Sequence, residues 1–221
     1  MADMVRVTRS KASAKAAYDR MSGSYDRFAG RFEKPYTSAG VDLLGPVAGE
    51  AVLEIGFGTG TSMVDIARRV GSEGHVFGLD LSTGMCEVAR AKVDREDLSG
   101  RVAPAVGDAE RLPFAGGSFD AVSTSFTLEL FDTPDIPVVL AECRRVLRPG
   151  GRLGVVAMAL AEEPGLLERL YVWSHRRFPD WVDCRPIPAD RLLTDAGFEL
   201  AAAEQRSMWG LPVWLVVGRA P

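Results

Sequence analysis

The sequence predicts an α/β fold built on a mostly parallel, seven-stranded sheet that closes with a C-terminal antiparallel hairpin. Three observations predict it. Apolar runs alternate with helical patterns from about residue 50 to 158, as repeated βα units do. A glycine-rich turn, Gly56-Phe57-Gly58-Thr59-Gly60, joins the first of these runs to a helix. Two β-like runs near the C-terminus are separated by a turn instead of a helix, which makes them an antiparallel pair.

Taken in order, Ser10 to about Ala29 reads as a helix, and a second lies near Tyr36 to Leu44. Ala51 to Ile55 is the first strand, followed by a helix through about Arg69. His75 to Leu79 is the second strand, ending at Asp80, and Ser82 caps a helix running to about Asp97. Val102 to Val106 and Phe119 to Ser125 are the third and fourth strands. Pro134 to Leu147 is a helix, Pro149-Gly150-Gly151 its stop and turn, and Arg152 to Met158 the fifth strand. Residues 161–190, rich in aromatics, Arg and Pro, break the pattern and read as a helical insertion. A short helix from Ala189 to Ala196 ends at Gly197, and Phe198 to Arg206 and Val213 to Gly218 form the hairpin around Gly210-Leu211-Pro212.

The bulk numbers limit the function classes. With 221 residues the chain is long enough for one large core, 47% of it hydrophobic and 25% charged. A net charge of −4 gives no electrostatic case for nucleic acid. Residues 1–34 are nonetheless basic, with eight Lys/Arg against four Asp/Glu. That arm reads either as a solvated helix face or as a lid or membrane-surface contact for a lipid-like substrate. Cys86, Cys143 and Cys184 are widely spaced and form neither a disulfide framework nor a zinc motif. His75 and His175 belong to no ligand-like cluster, so no metal is expected. No signal-like or membrane-spanning run is present, which points to the cytoplasm.

Glycines between a strand and a helix let the backbone turn tightly and approach a ligand, while the helix points free N–H groups at it. Asp80, 20 residues past Gly60 at the next strand end, is placed to hold ribose hydroxyls. This pair alone says only that the ligand contains a nucleoside. The spacing is G-x-G-x-G, with Thr61 where a dinucleotide fingerprint wants its last glycine, and no Tyr is followed four residues later by Lys. A third acidic site, Gly107-Asp108-Ala109-Glu110, follows the third strand, where Asp108 can accept an adenine amine or simply form a turn.

Here a resemblance becomes specific. Val52 to Gly60 resembles the first motif of class I S-adenosylmethionine-dependent methyltransferases. Gly107 to Phe114 with Ser118-Phe119-Asp120 resembles the stretch across their third and fourth strands, and Glu142 to Gly151 the helix and turn before their fifth. Within that class the chain is similar to the ubiquinone/menaquinone-biosynthesis methyltransferase-like (type 11) family and to bacterial phospholipid N-methyltransferases. Similarity covers about residues 15–160 and Leu192 to Phe198, and is weak over 161–190.

The resemblance implies a Rossmann-like methyltransferase fold in one domain over residues 1–221, with an N-terminal helical lid (about 8–45), a core (about 50–160 and 190–221) and a cap insertion (about 161–189). It implies S-adenosylmethionine as cofactor and S-adenosylhomocysteine as product. Glu54, Gly56, Gly58, Thr59 and Gly60 would face the methionine portion, and Asp80 the ribose. Leu81 and Met85 would flank the adenine, Asp108 and Ala109 would meet its edge, and Ser125 would touch the cofactor from the fourth strand. Tyr25, in the second of two Tyr-Asp pairs, would close over the cofactor or serve as a packed helix aromatic.

The substrate side follows less closely. Glu129 stands where the subgroup carries His or Asn, and a carboxylate there would orient an amine or act as base, or else be an exposed helix-start residue. Trp173, His175, Phe178 and Trp181 would line an acceptor pocket under the cap or simply pack a core. The expected acceptor is small and lipophilic, a quinone-type ring carbon or a phospholipid or small amine. The competing classes are a nicotinamide-dependent oxidoreductase, for which no hydride-transfer site is found, and a non-catalytic S-adenosylmethionine-binding module.

Overall fold

The computed structural model describes residues 4, 6–7, 9–27, 29–160, 165–177 and 184–221. Seven strands, β1 (Ala51–Ile55), β2 (His75–Asp80), β3 (Val102–Val106), β4 (Phe119–Ser125), β5 (Leu147–Met158), β6 (Glu199–Met208) and β7 (Leu211–Arg219), form one sheet in the order β3-β2-β1-β4-β5-β7-β6. The first five run parallel, and β7 inserts antiparallel between β5 and β6. The helices are α1 (Lys11–Met21), α2 (Ala29–Leu44), α3 (Thr61–Val70), α4 (Thr83–Arg95), α5 (Ile136–Val146), α6 (Leu166–Arg177) and α7 (Ala189–Asp195).

Strand alternation divides the core between the two faces of the sheet. Leu53, Val122, Leu153 and Val216 turn to one face, where Leu140 of α5 and Leu193 of α7 cover them. Val52, Ala121, Val76 and Val217 turn to the other, beneath Ile66 of α3 and Ala89 of α4. Leu53 and Val52 are fully buried, each stabilising the fold by about 1.5–3 kcal/mol over an exposed position. Strand order reverses between β1 and β4, and a ligand crevice is expected beyond the strand ends at such a point.

Four boundaries differ from the sequence expectation. The first predicted helix stops at Met21 and is followed by a 3-10 turn, Tyr25–Arg27. The second begins at Ala29, not Tyr36, with Pro35 inside it. The helix loses one backbone bond at that proline, a cost offset by its packing on β5, where Gly40 lies so close to Val156 that any side chain would collide. Pro149-Gly150-Gly151 does not end the pairing of its segment. β5 starts at Leu147 opposite Phe119 and resumes at Arg152 opposite Ala121, so the Pro-Gly-Gly residues form an irregularity within the strand. The hairpin turns at Trp209-Gly210, both at positive φ (53° and 85°), one step before the predicted position. Such a pair matches the twist of two-residue hairpins, although glycine or asparagine is the usual first residue.

Candidate functional site

The C-terminal ends of β1, β2, β3 and β4 open into a cleft of about 1390 Å³. The glycine turn forms its floor. Gly56, Gly58 and Gly60 all lie at positive φ (70°, 53° and 76°). A side chain on Gly56 would collide with Thr127, whereas one on Gly58 would meet nothing, leaving that backbone open to a ligand. Gly60 caps α3 with no side-chain hydrogen bond to its first amides, so the positive helix end stays available. Asp80 braces the turn from β2: its Oδ2 accepts the Gly58 N–H at 2.9 Å and its Oδ1 the Ser82 N–H at 2.8 Å. Ser82 caps α4 as its position predicts, accepting the Met85 N–H at 3.1 Å.

The structure brings most of the predicted cofactor residues together. Glu54, Gly56, Gly58 and Thr59 line the cleft from the turn, and Asp80, Leu81 and Met85 from β2 and α4. Asp108 and Ala109 line it beyond β3, Ser125 beyond β4, and Tyr25 from the N-terminal segment. Gly60 lies just behind, against Ala89.

Glu54 is held in an electrostatically unfavourable place. It is fully buried, its Oε1 accepts the Ser62 hydroxyl, and its Oε2 has no hydrogen-bond partner among the described residues. Burial first, then the charges of Asp80 and Asp65, push its pKa up from 4.5 to about 8, while the Ser62 bond opposes the rise. Between those two values the folded chain holds a proton that the unfolded chain has released. Stability therefore falls as pH rises through that window, by at most about 1.4 kcal/mol per pH unit from this group. Denaturant titrations of wild type and Glu54→Gln between pH 5 and 8 check this: the variant should show the flatter profile, and parallel profiles would refute the shift.

The N-terminal segment was expected as a lid, and the ties that bind it were not foreseen. Lys11 of α1 pairs with Asp108 (2.5 Å) and Glu110 (2.6 Å). Asp19 accepts the Ser82 hydroxyl (2.6 Å) and the Gly84 N–H (2.9 Å) at the start of α4, and the Lys15 ammonium with these bonds holds its carboxyl well below the usual range. Asp26 accepts the Thr59 hydroxyl (2.5 Å) and the Lys92 ammonium (2.9 Å). Arg6 forks onto Asp132, just past β4. Each exposed pair contributes little alone, but together they lay the segment along the cleft. The Tyr25 hydroxyl donates to Glu33 of α2 at 3.0 Å.

The described residues expected on the substrate side are not among those that line this cleft. Glu129 does not line the cleft, nor is it an exposed helix start: it is 0% exposed, beneath β5, where its Oε1 accepts the Met158 N–H at 3.1 Å. Arg185, also 0% exposed, donates from Nε to the Glu129 carbonyl. Trp173 is 58% exposed on α6 and His175 is buried, and neither lines the cleft. Phe178 and Trp181 lie outside the described residues. The apolar surface at this end comes instead from Phe126, Leu130 and Phe131 after β4. Phe126 sits at φ 49°, a costly conformation for a bulky residue, held by its N–H bond to the Val156 carbonyl at 2.8 Å. Among the described residues no cluster suited to a metal ion occurs, and no helix is long and apolar enough to cross a membrane.

Comparison with known proteins agrees with this geometry. Residues 52–151 match a family model described as a methyltransferase domain. The chain is 37% identical over 138 residues to nocamycin O-methyltransferase of Saccharothrix syringae, covering 62% of this chain and 48% of that protein. It is 35% identical over 162 residues to the ubiquinone/menaquinone biosynthesis C-methyltransferase UbiE of Dinoroseobacter shibae, covering 73% and 62%. The chain thus spans between about half and under two thirds of the length of these curated relatives. In fold it is similar to the crystal structure of the [4+2]-cyclase SpnF, with a TM-score of 0.80 at 19% identity over 100% of this chain and 99% of that one.

Proposed function

We propose, for a chain that belongs to the class I S-adenosylmethionine-dependent methyltransferases, that it methylates a small, lipophilic acceptor. The observation that carries this reading is the buried Glu54 Oε2, unpartnered among the described residues, in a cleft also lined by the open Gly58 backbone, Asp80 and Asp108. These groups fit the cofactor in sequence: an ammonium for Glu54, ribose hydroxyls for Asp80, and an adenine amine for Asp108. Bound there, S-adenosylmethionine supplies a sulfonium methyl already activated for displacement. The chain's own task is then proximity, alignment and exclusion of water. We read residues 8–45 as the lid that excludes water, through the ties of Lys11 and Asp19.

The acceptor end supports the substrate class. The cleft exceeds the roughly 300–1,000 Å³ of most small-ligand sites, leaving space for a second molecule beside the cofactor. Phe126, Leu130 and Phe131 make that space apolar. UbiE and nocamycin O-methyltransferase carry C- and O-methylation in their names, and both kinds of acceptor fit an apolar pocket. A cytoplasmic location agrees with the buried Cys86 and Cys143 thiols.

The test is transfer of labelled methyl from S-adenosylmethionine to a panel of demethylated quinols, phenolic polyketides and phosphatidylethanolamine. Label should enter an organic-extractable product. Cofactor binding without transfer to any of these would overturn the acceptor class, and tight NADH binding without S-adenosylmethionine binding would overturn the whole reading.

A further inference from the structure

We propose that Lys92 grips the carboxylate end of the cofactor, in a cradle that Asp26 of the N-terminal segment fills in this structure. The inference rests on the cofactor reading above and assigns two residues outside the glycine turn to it.

Lys92 lies on α4, its side chain only 14% exposed, and lines the cleft. Its ammonium donates to three oxygens: Thr61 Oγ1 at 2.6 Å, Asp26 Oδ2 at 2.9 Å and Thr59 Oγ1 at 3.1 Å. Thr59 in turn donates its hydroxyl proton to Asp26 Oδ1 at 2.5 Å. One carboxylate thus receives an ammonium and a hydroxyl, one on each oxygen, beside the uncapped start of α3. By its chemistry this is a carboxylate site, and the carboxylate now in it belongs to a three-residue 3-10 turn with its side chain 49% exposed. With its carboxylate half exposed on a short turn, Asp26 can be displaced by a ligand carboxylate that meets the same donors.

Glu54 is the independent observation. Its Oε1 touches Ser62, the residue after Thr61, and its Oε2, without a hydrogen-bond partner among the described residues, is open to an ammonium, whose charge would draw the raised pKa back down. An acceptor for an ammonium and a donor set for a carboxylate therefore meet at the first turn of α3, which defines an α-amino-acid group. A second consequence concerns the lid: cofactor binding frees Asp26 from Thr59 and Lys92, so the lid loses one tie to the core when the site fills.

The test compares S-adenosylhomocysteine with 5′-methylthioadenosine, which shares the nucleoside and lacks the amino-acid end, by calorimetry on the full chain. Lys92→Met should weaken S-adenosylhomocysteine on the order of 5- to 20-fold. Asp26→Asn should tighten it about 2- to 5-fold by removing the competitor. Neither should alter 5′-methylthioadenosine, whose retained binding also shows that each variant is folded. Equal loss of both ligands in Lys92→Met, or no loss of either, overturns the carboxylate grip, and weaker S-adenosylhomocysteine binding in Asp26→Asn overturns the stand-in role. A wild-type chain that binds neither ligand refutes the cofactor reading itself, a result distinct from any of these.

Discussion

Replacing Asp80 by alanine is expected to weaken S-adenosylmethionine binding by about 1.5–3 kcal/mol, some 10- to 150-fold, the range of hydrogen bonds made by a charged group. The expectation follows from position. Asp80 ends β2 on the rim of the cleft, and its two oxygens are already aimed by the Gly58 and Ser82 amides. A carboxylate held this way loses little freedom when it accepts ribose hydroxyls, so most of its bond energy reaches the complex. Burial raises its pKa and the backbone bonds resist that rise, so the charged form depends on those amides. The alanine variant also strips the Gly58 N–H of its acceptor and loosens the turn. Asp80→Asn, which keeps one acceptor oxygen, should recover part of the loss. Calorimetry with thermal unfolding as the control decides the matter, and unchanged affinity in a folded Asp80→Ala chain would remove the ribose assignment.

What the sequence disclosed and what it hid divide along one physical line. Features set by neighbours in the chain were legible. The Ser82 cap, the turn from Gly56 to Gly60 and the acids ending their strands all depend on local backbone chemistry, and the structure places them as expected. Parallel pairing was legible too, because strands buried on both faces read as continuous apolar runs. Contacts between distant segments were not. Asp26 and Thr59 are 33 residues apart, Lys11 and Asp108 are 97 apart, and neither pair has a local pattern. Glu129 shows the same limit from the other side. Its position after β4 suggested the acceptor, but only its three-dimensional partners reveal that it points beneath β5. Phe126 carries no sequence signal for its positive φ, a conformation imposed by its bond to β5.

Those partners of Glu129 lead to the largest stability effect expected anywhere in the chain. Arg185 is fully buried where the segment after α6 returns to the sheet. Its Nε donates to the Glu129 carbonyl (3.1 Å), one Nη to Thr133 Oγ1 (3.1 Å) and the other to the Phe131 carbonyl (2.6 Å). Burial lowers its pKa while Asp132 and Glu129 act against that, so the charge stays only because these acceptors surround it. Arg185→Met keeps much of the side-chain volume and removes the donors to the Glu129 and Phe131 carbonyls and to Thr133 Oγ1. Losing a donor to a buried or partly buried acceptor costs about 1–3 kcal/mol each, and a total of about 3–5 kcal/mol lowers the melting temperature of a chain of this size by roughly 6–20 °C. The bonds of Arg185 also hold the 128–133 loop that carries Leu130 and Phe131 into the cleft. The variant should therefore lose acceptor turnover while its S-adenosylhomocysteine affinity below the melting point stays near wild type. A melting temperature within about 2 °C of wild type would show that water or neighbouring groups replace the guanidinium, and that the loop stands without it.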